Sequence, residues 1–302
     1  MTGSTGQPVR AGAPAGPGPA AQAARSERLS WPALPRRGVP RPPSPLTSIR
    51  TPISRRARSV LMVLSLLLPF IAWWALTAMS VVSPKVLPPL GDTFAAGWDM
   101  AASGELFTDL WASTERVLLG FGLAVLVSVP IGILMGTFLA AEALFEPLFA
   151  MLRYLPAPAF IALFLVWFGI DEAPKIALVF TGTVFFNTLM TADVVRSVPR
   201  ELVNVSYTLG ARRGEVLRKV IVPHSLPGII DSIRVNIAAA WALLVVAEVV
   251  SSTTGLGRSI MQAQRFQRID EMFAVLLVFG IVGVLMDVAL RLLRNSVGRW
   301  AT

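Results

Sequence analysis

ELVNVSYTLGARRGEVLRKVIVPHSLP, residues 201–227, is a polar, basic stretch set between two apolar runs that are each long enough to cross a bilayer. Pro199 and Glu201 predict a helix start, with proline in the first turn and an acid near the positive end of the helix dipole. Leu202, Val205 and Leu209 then share one helical face, and Gly210 ends the element as a residue free to take a left-handed backbone. A second helix over 213–222 puts Val216, Leu217, Val220 and Ile221 on its apolar side, and Pro223 and Pro227 are expected to close it before the next apolar run. The pattern is a helix, a glycine turn and a helix with apolar side chains to spare. Such an insert either lies on lipid headgroups as a connector or docks on another chain.

Outward from the insert, six segments approach the roughly 20 apolar residues that a span needs: 59–82, 117–139, 147–170, 174–195, 229–250 and 272–294. Pro130 and the Pro156/Pro158 pair are expected to kink or break their helices, which spans tolerate where neighbours satisfy the freed backbone groups. Between the first two spans, residues 83–116 carry apolar side chains at near-helical spacing with a glycine break. Short amphipathic helices at the outer surface are expected there. The composition agrees with a polytopic membrane protein: 54% hydrophobic, 15% charged and a mean hydropathy of +0.64.

Charge is unevenly spread. Residues 1–57 hold nine arginines against Glu27 alone, and 11 of the 23 prolines, whereas residues 58–302 are nearly neutral. The first segment, with AGAPAGPGPAAQAA and PRRGVPRPPSP, cannot bury enough apolar surface to offset chain entropy and is expected to be a disordered tail. It has no compact apolar core followed by a small-residue cleavage site, so it is not expected to be a cleaved signal peptide. Its arginines fit retention in the cytoplasm and contact with membrane lipid better than a nucleic-acid arm.

Basic residues in the short connections orient the rest. With the tail inside, residues 196–228 also fall inside and hold Arg196, Arg200, Arg212, Arg213, Arg218 and Lys219, and so does the C-terminus with Arg291, Arg294 and Arg299. The opposite side holds Lys85, Lys175 and a segment, 251–271, with Arg258, Arg265 and Arg268. Both termini are therefore expected in the cytoplasm, and the protein in the cell (inner or plasma) membrane.

Several chemistries are excluded. There is no cysteine for a disulfide, thiolate site or nucleophile, and a single histidine, His224, leaves no material for a His-based metal cage or a catalytic triad. No Gly-Lys dipeptide occurs, so no P-loop can hold ATP. Neither a catalytic group nor a cofactor is expected.

Ionisable and amide groups within apolar runs are functional candidates by default. Glu248 lies near the outer end of the fifth run, two turns after Trp241 and ahead of Ser251 and Ser252. It either lines the path of a solute or is a structural carboxylate paired with Arg258 or Arg265. Asn187, Thr188 and Asn236 either add polar contacts to that path or hydrogen-bond across helices. Asp231 with Arg234, and Asp287 with Arg291, have the spacing of intrahelical ion pairs.

The insert resembles the cytoplasmic loop of the membrane subunits of binding-protein-dependent ABC importers, in which an E-A-A triplet, three residues, a glycine and a later proline stand at fixed distances. Gly210 and Pro223 match it, while the triplet falls on Asn204, Val205 and Ser206, so the family's glutamate is absent. SGELFTDLWASTERVLLGFGLAVLVSVPIGILMG and AEVVSSTTGLGRSIMQAQRF are similar to the corresponding parts of the nitrate, sulfonate and taurine permeases, and the resemblance covers residues 85–300. It implies an all-α fold with six transmembrane helices, that of a type I importer permease. It also implies an ATPase-coupling surface at Leu202, Asn204, Val205, Ser206, Leu209, Gly210, Ala211 and Pro223, and a translocation pathway near Asn187, Asn236, Trp241 and Glu248. The implied partners are two copies of an ABC ATPase subunit, a second permease copy and an extracytoplasmic substrate-binding protein. The rival expectation is a secondary transporter driven by an ion gradient, which would want a carboxylate at mid-membrane depth, whereas Glu248 lies near an edge.

Overall fold

The computed structural model describes residues 53–298, in which every regular element is helical. The chain divides into two units at Leu67. The described part of the first unit is the start of helix α1 (Arg55–Ala78), which begins inside the stretch expected to be a tail; residues 1–52 of that expectation lie outside the described residues, as does Arg299. None of the residues of α1 is buried.

The second unit continues with α2 (Leu90–Ala102), α3 (Glu105–Thr137), α4 (Leu139–Leu152) and α5 (Phe160–Phe168), the last preceded by a 3-10 turn at Ala157–Ala159. Then come α6 (Glu172–Arg196), α7 (Arg200–Thr208) and α8 (Arg213–Val216). A π turn at Leu217–Ile221 leads from α8 into α9 (Val222–Ser251), followed by α10 (Leu256–Arg265) and α11 (Ile269–Val297). Five continuous helices, α1, α3, α6, α8 to α9, and α11, are long and apolar enough to cross a membrane. The segments 139–152 and 157–168, bent by 70°, make a sixth crossing if they count as one.

Two expectations change, and two segments gain detail. The span placed at 147–170 is a bent pair starting at Leu139, because Pro156 and Pro158 remove two amide donors where the chain turns. Pro130, by contrast, sits inside an uninterrupted α3. Of the short helices expected over 83–116 only α2 is separate: Gly104, at φ +80°, turns the chain, but nothing from Glu105 to Leu119 breaks a helix, so the second joins the span directly. The segment 251–271, read from the sequence only for its basic residues, contains α10, whose Leu256, Gly257, Ser259 and Ala263 are buried.

Lipid tails are as apolar as leucine, so helices in a membrane associate through close packing and interhelical polar contacts. α3 and α6 show how sequence achieves this. Gly120, Ala124, Ser128 and Gly132 are buried at four-residue intervals along α3, and a Cβ on Gly132 would stand 2.7 Å from the Thr188 carbonyl oxygen of α6. A side chain there would hold the two backbones apart. Around this seam Val117 and Phe121 of α3 meet Val179 of α6, Ala240, Trp241 and Leu244 of α9, Leu256 of α10 and Val275 of α11.

Candidate functional site

The insert forms the hairpin α7 to α8 that was expected at its first helix and turn. Pro199, at φ −58°, precedes α7, and Glu201 lies in its first turn. At the far end the Gly210 N–H donates to the Tyr207 carbonyl at 2.9 Å, and the Ala211 N–H to the Ser206 carbonyl at 3.0 Å. This is a Schellman closure, which requires the left-handed backbone that Gly210 takes at φ +84°. The Arg212 N–H then donates to Glu215 Oε2 at 2.9 Å, satisfying a free amide at the start of α8.

Two apolar faces result. Val203, Ala211, Leu217 and Val220 pack on a cluster of Val195, Val198, Val216, Ile221 and Ile229, which ties the hairpin to α6 and α9. Leu202, Val205 and Leu209 point away, exposed at 42%, 57% and 82%. Tyr207, exposed at 47%, was not anticipated; at helical spacing it lies about 140–200° round α7 from that stripe, so it is exposed on a different side of the helix. Asn204 is exposed, and half-buried Ser206 donates its hydroxyl to the Leu202 carbonyl at 2.7 Å. Pro223 and Pro227 do not close a helix, contrary to expectation. Pro223 falls in the first turn of α9 and Pro227 within it, and the wider π turn at Leu217–Ile221 immediately precedes the ring of Pro223. Residues Arg213–Ser251 thus form one 39-residue helical path from the hairpin through the body.

The opposite end of α9 enters a buried ionic junction. Arg116 of α3 donates from Nη1 to Glu248 Oε1 at 2.6 Å and to the Thr254 carbonyl at 2.7 Å, and from Nη2 to Glu172 Oε1 at 2.9 Å. The second Glu172 oxygen is held by Arg116 Nε. Ser113 donates its hydroxyl to Glu248 at 2.8 Å, and the Gly257 N–H donates to Glu248 Oε2 at 2.8 Å. Asp109 accepts from the Gly255 N–H at 2.8 Å and from the Ser259 hydroxyl. α3, α9 and the start of α10 are thereby locked by charge-assisted bonds in a desolvated place, and half-exposed Glu172 ties α6 to it from the rim.

Arg258 and Arg265 are not the partners of Glu248; Arg258 instead faces Glu105 and Asp109 at 3.3 and 3.7 Å. Arg116 sits 132 residues from Glu248, beyond the reach of a local spacing argument. Asn236 donates from Nδ2 to Asn187 Oδ1 at 2.6 Å, joining α9 to α6, and buried Thr188 donates to the Val184 carbonyl of its own helix at 2.8 Å. Trp241 is buried, edge-on to Phe279, with its indole N–H 3.1 Å from Met286 Sδ. The pairs Asp231/Arg234 and Asp287/Arg291 form within their helices at 3.3 and 3.0 Å, and Arg234 also bridges to Asp287 across α9 and α11 at 2.5 Å. Among the described residues no group of three His, Cys, Asp or Glu side chains is placed to hold a metal ion.

Comparison with known proteins matches residues 128–299 to the family described as binding-protein-dependent transport system inner membrane component. The chain is 37% identical over 238 residues to a Bacillus subtilis protein named for aliphatic sulfonates transport, SsuC, covering 78% of this chain and 86% of the relative. It is 32% identical over 257 residues to the taurine transport system permease protein TauC of Escherichia coli, covering 83% and 92%. Among solved structures, an inward-facing conformation of the MetNI methionine ABC transporter superposes with a TM-score of 0.59 at 18% identity, over 65% of this chain and 98% of that one; the likeness is one of fold.

Proposed function

This chain belongs to the family of binding-protein-dependent transport system inner membrane components, the multi-pass permease subunits of ABC importers, and from that membership we propose how its parts share the work. The hairpin α7 to α8 is the handle by which a separate ATPase moves the pore. Leu202, Val205 and Leu209 enter a groove on an ATPase subunit as apolar anchors do in helix-in-groove recognition. Asn204, Ser206, Gly210 and Ala211 shape the hairpin, and Pro223 sets the joint where it meets α9. The observation that carries this is one apolar face spent on the body while a second stays open at 42–82% exposure. An ATPase-driven rotation of such a hairpin passes directly into α9, with which α8 is helically continuous.

In this scheme two permease copies form the pathway, two ATPase subunits bind in the cytoplasm beside both termini, and an extracytoplasmic binding protein delivers the solute at the Arg116–Glu248 end. The solute is a small anion of the sulfonate, taurine or nitrate kind, the class that the names of its relatives suggest. Asn187, Asn236, Trp241 and Glu248, each buried and held within this chain, act on the pathway by fixing α6 and α9 against their neighbours. Expression with the ATPase and binding-protein genes, copurification and uptake into proteoliposomes test the assignment. A permease that inserts but neither retains an ATPase nor supports binding-protein-dependent uptake would refute it.

A further inference from the structure

A cavity of about 410 Å³ opens where α4 breaks into α5, lined by Arg153, Tyr154 and Phe160 of the break, Thr181 and Phe185 of α6 and Leu243 of α9, among others. The break is seated by Gly182, at which a Cβ would come within 2.9 Å of the Ala157 side chain. The lining residues of α6, 181–186, lie 9–14 residues from Glu172, about 13–21 Å along a helix of about 37 Å. Those of α9, 239–243, lie about 12–18 Å from its end at Ser251. The cavity therefore stands near the middle of α6 and about a third of the way along α9 from its Ser251 end.

Arg153 is out of place there. α3 has no charged side chain from Val117 to Thr137, α6 none from Ile176 to Ala192, α9 none from Val235 to Ala247 and α11 none from Met272 to Met286. No carboxylate pairs with Arg153 among the described residues; its Nη2 donates to the Tyr154 hydroxyl at 3.3 Å, and its guanidinium lies 5.1 Å from the Tyr154 ring centre. Both side chains are exposed. A guanidinium without a carboxylate partner is costly against lipid, by about 2.5–3.5 kcal/mol at the centre of a span, which favours a wet face for it. Its planar fork suits an oxyanion, and the aromatic and aliphatic walls suit a short apolar body.

We propose that the break between α4 and α5 is an anion-binding subsite midway along the pathway, which takes a short-chain alkanesulfonate with Arg153 on its charged oxygens. The inference rests on the importer assignment above and adds that charge is read inside the permease as well as by the binding protein.

The absence of cysteine from the chain makes a charge-restoration experiment available. In proteoliposomes holding the complete complex, ethanesulfonate uptake is measured for the parent, Arg153→Lys and Arg153→Cys. Arg153→Lys is expected to keep uptake within about threefold, and Arg153→Cys to lose tenfold or more with the ATPase still bound. Aminoethyl methanethiosulfonate, which attaches an ammonium to the thiol, is expected to restore a large part of that uptake, and the sulfonatoethyl reagent none. Parental uptake by Arg153→Cys, failure of both water-soluble reagents to label it, or equal effects of the two reagents would each overturn the subsite. So would parallel loss of ATPase binding and uptake in both variants, which marks a structural role. A parental complex that binds its ATPase and takes up no ethanesulfonate overturns the solute class while leaving the hairpin's function intact.

Discussion

Arg116 Nη1 lies 2.6 Å from Glu248 Oε1, with the two side chains 4% and 0% exposed, so α3 and α9 are joined by a buried ion pair rather than by apolar packing alone. Removing Arg116 strands the Glu248 carboxylate without solvent, at a cost of about 3–5 kcal/mol, whereas removing the Glu248 charge leaves Arg116 its bonds to Glu172 and costs less. Glu248→Gln and Arg116→Met are accordingly expected to lower the thermal unfolding midpoint of the detergent-purified permease, and the double variant Arg116→Met/Glu248→Met to recover much of the loss. Unchanged unfolding in Arg116→Met would show that the pair carries no such load. Transport by Glu248→Gln is expected to fall together with stability, since the Glu248 carboxylate is fastened to Arg116, Ser113 and the Gly257 N–H.

At Gly210 the requirement is conformational. A Cβ there would meet nothing within 4 Å, yet φ is +84°, so a β-branched residue strains the turn by about 1–2 kcal/mol. Gly210→Val is expected to insert and fold while reducing copurified ATPase several-fold. Val205→Asp, which sets a charge among the exposed anchors, should match it. Normal ATPase recovery and stimulated hydrolysis in both variants would leave the hairpin as a mere connector.

Gly132 and Gly122 offer a comparison within one helix. A Cβ on Gly132 would press on Thr188 and Thr191 of α6, whereas one on Gly122 meets nothing within 4 Å. Gly132→Val is expected to cost about 1–3 kcal/mol of stability by overpacking, with Gly122→Val near neutral. Thermal unfolding of the two single variants, scored by aggregation in detergent, distinguishes them; equal midpoints would contradict the close seam between α3 and α6.

The Asn187–Asn236 bond predicts non-additivity. Asn236→Leu leaves the Asn187 amide oxygen buried and without its donor, a penalty of about 1–3 kcal/mol, while replacing both residues by leucine removes the need for the bond. A four-member cycle of unfolding midpoints should place the double variant above the Asn236→Leu single variant. Strict additivity would mean that the two amides act separately.

The sequence alone determined the helical membrane class, the approximate span positions except around the proline breaks, at Glu105 and at the start of the fifth span, where the helical path begins at Arg213 rather than 229, and the hairpin with its Gly210 turn. These follow from local facts: apolar run length, the spacing of Leu202, Val205 and Leu209, and the backbone freedom of glycine. Where competing local signals had to be weighed, tertiary context decided. Pro130 and Pro227 lie within continuous helices, whereas the chain breaks around Pro156 and Pro158. Partnership was likewise beyond the sequence. Glu248 selects Arg116 over the nearer Arg258 and Arg265, and Asn236 finds Asn187, because helices packed side by side bring together residues that are 132 and 49 positions apart. Arg153 shows the same limit from the other side: as a letter it is one arginine among many, and only the bend that carries it towards mid-depth, with no carboxylate paired to it among the described residues, gives it an unanswered charge.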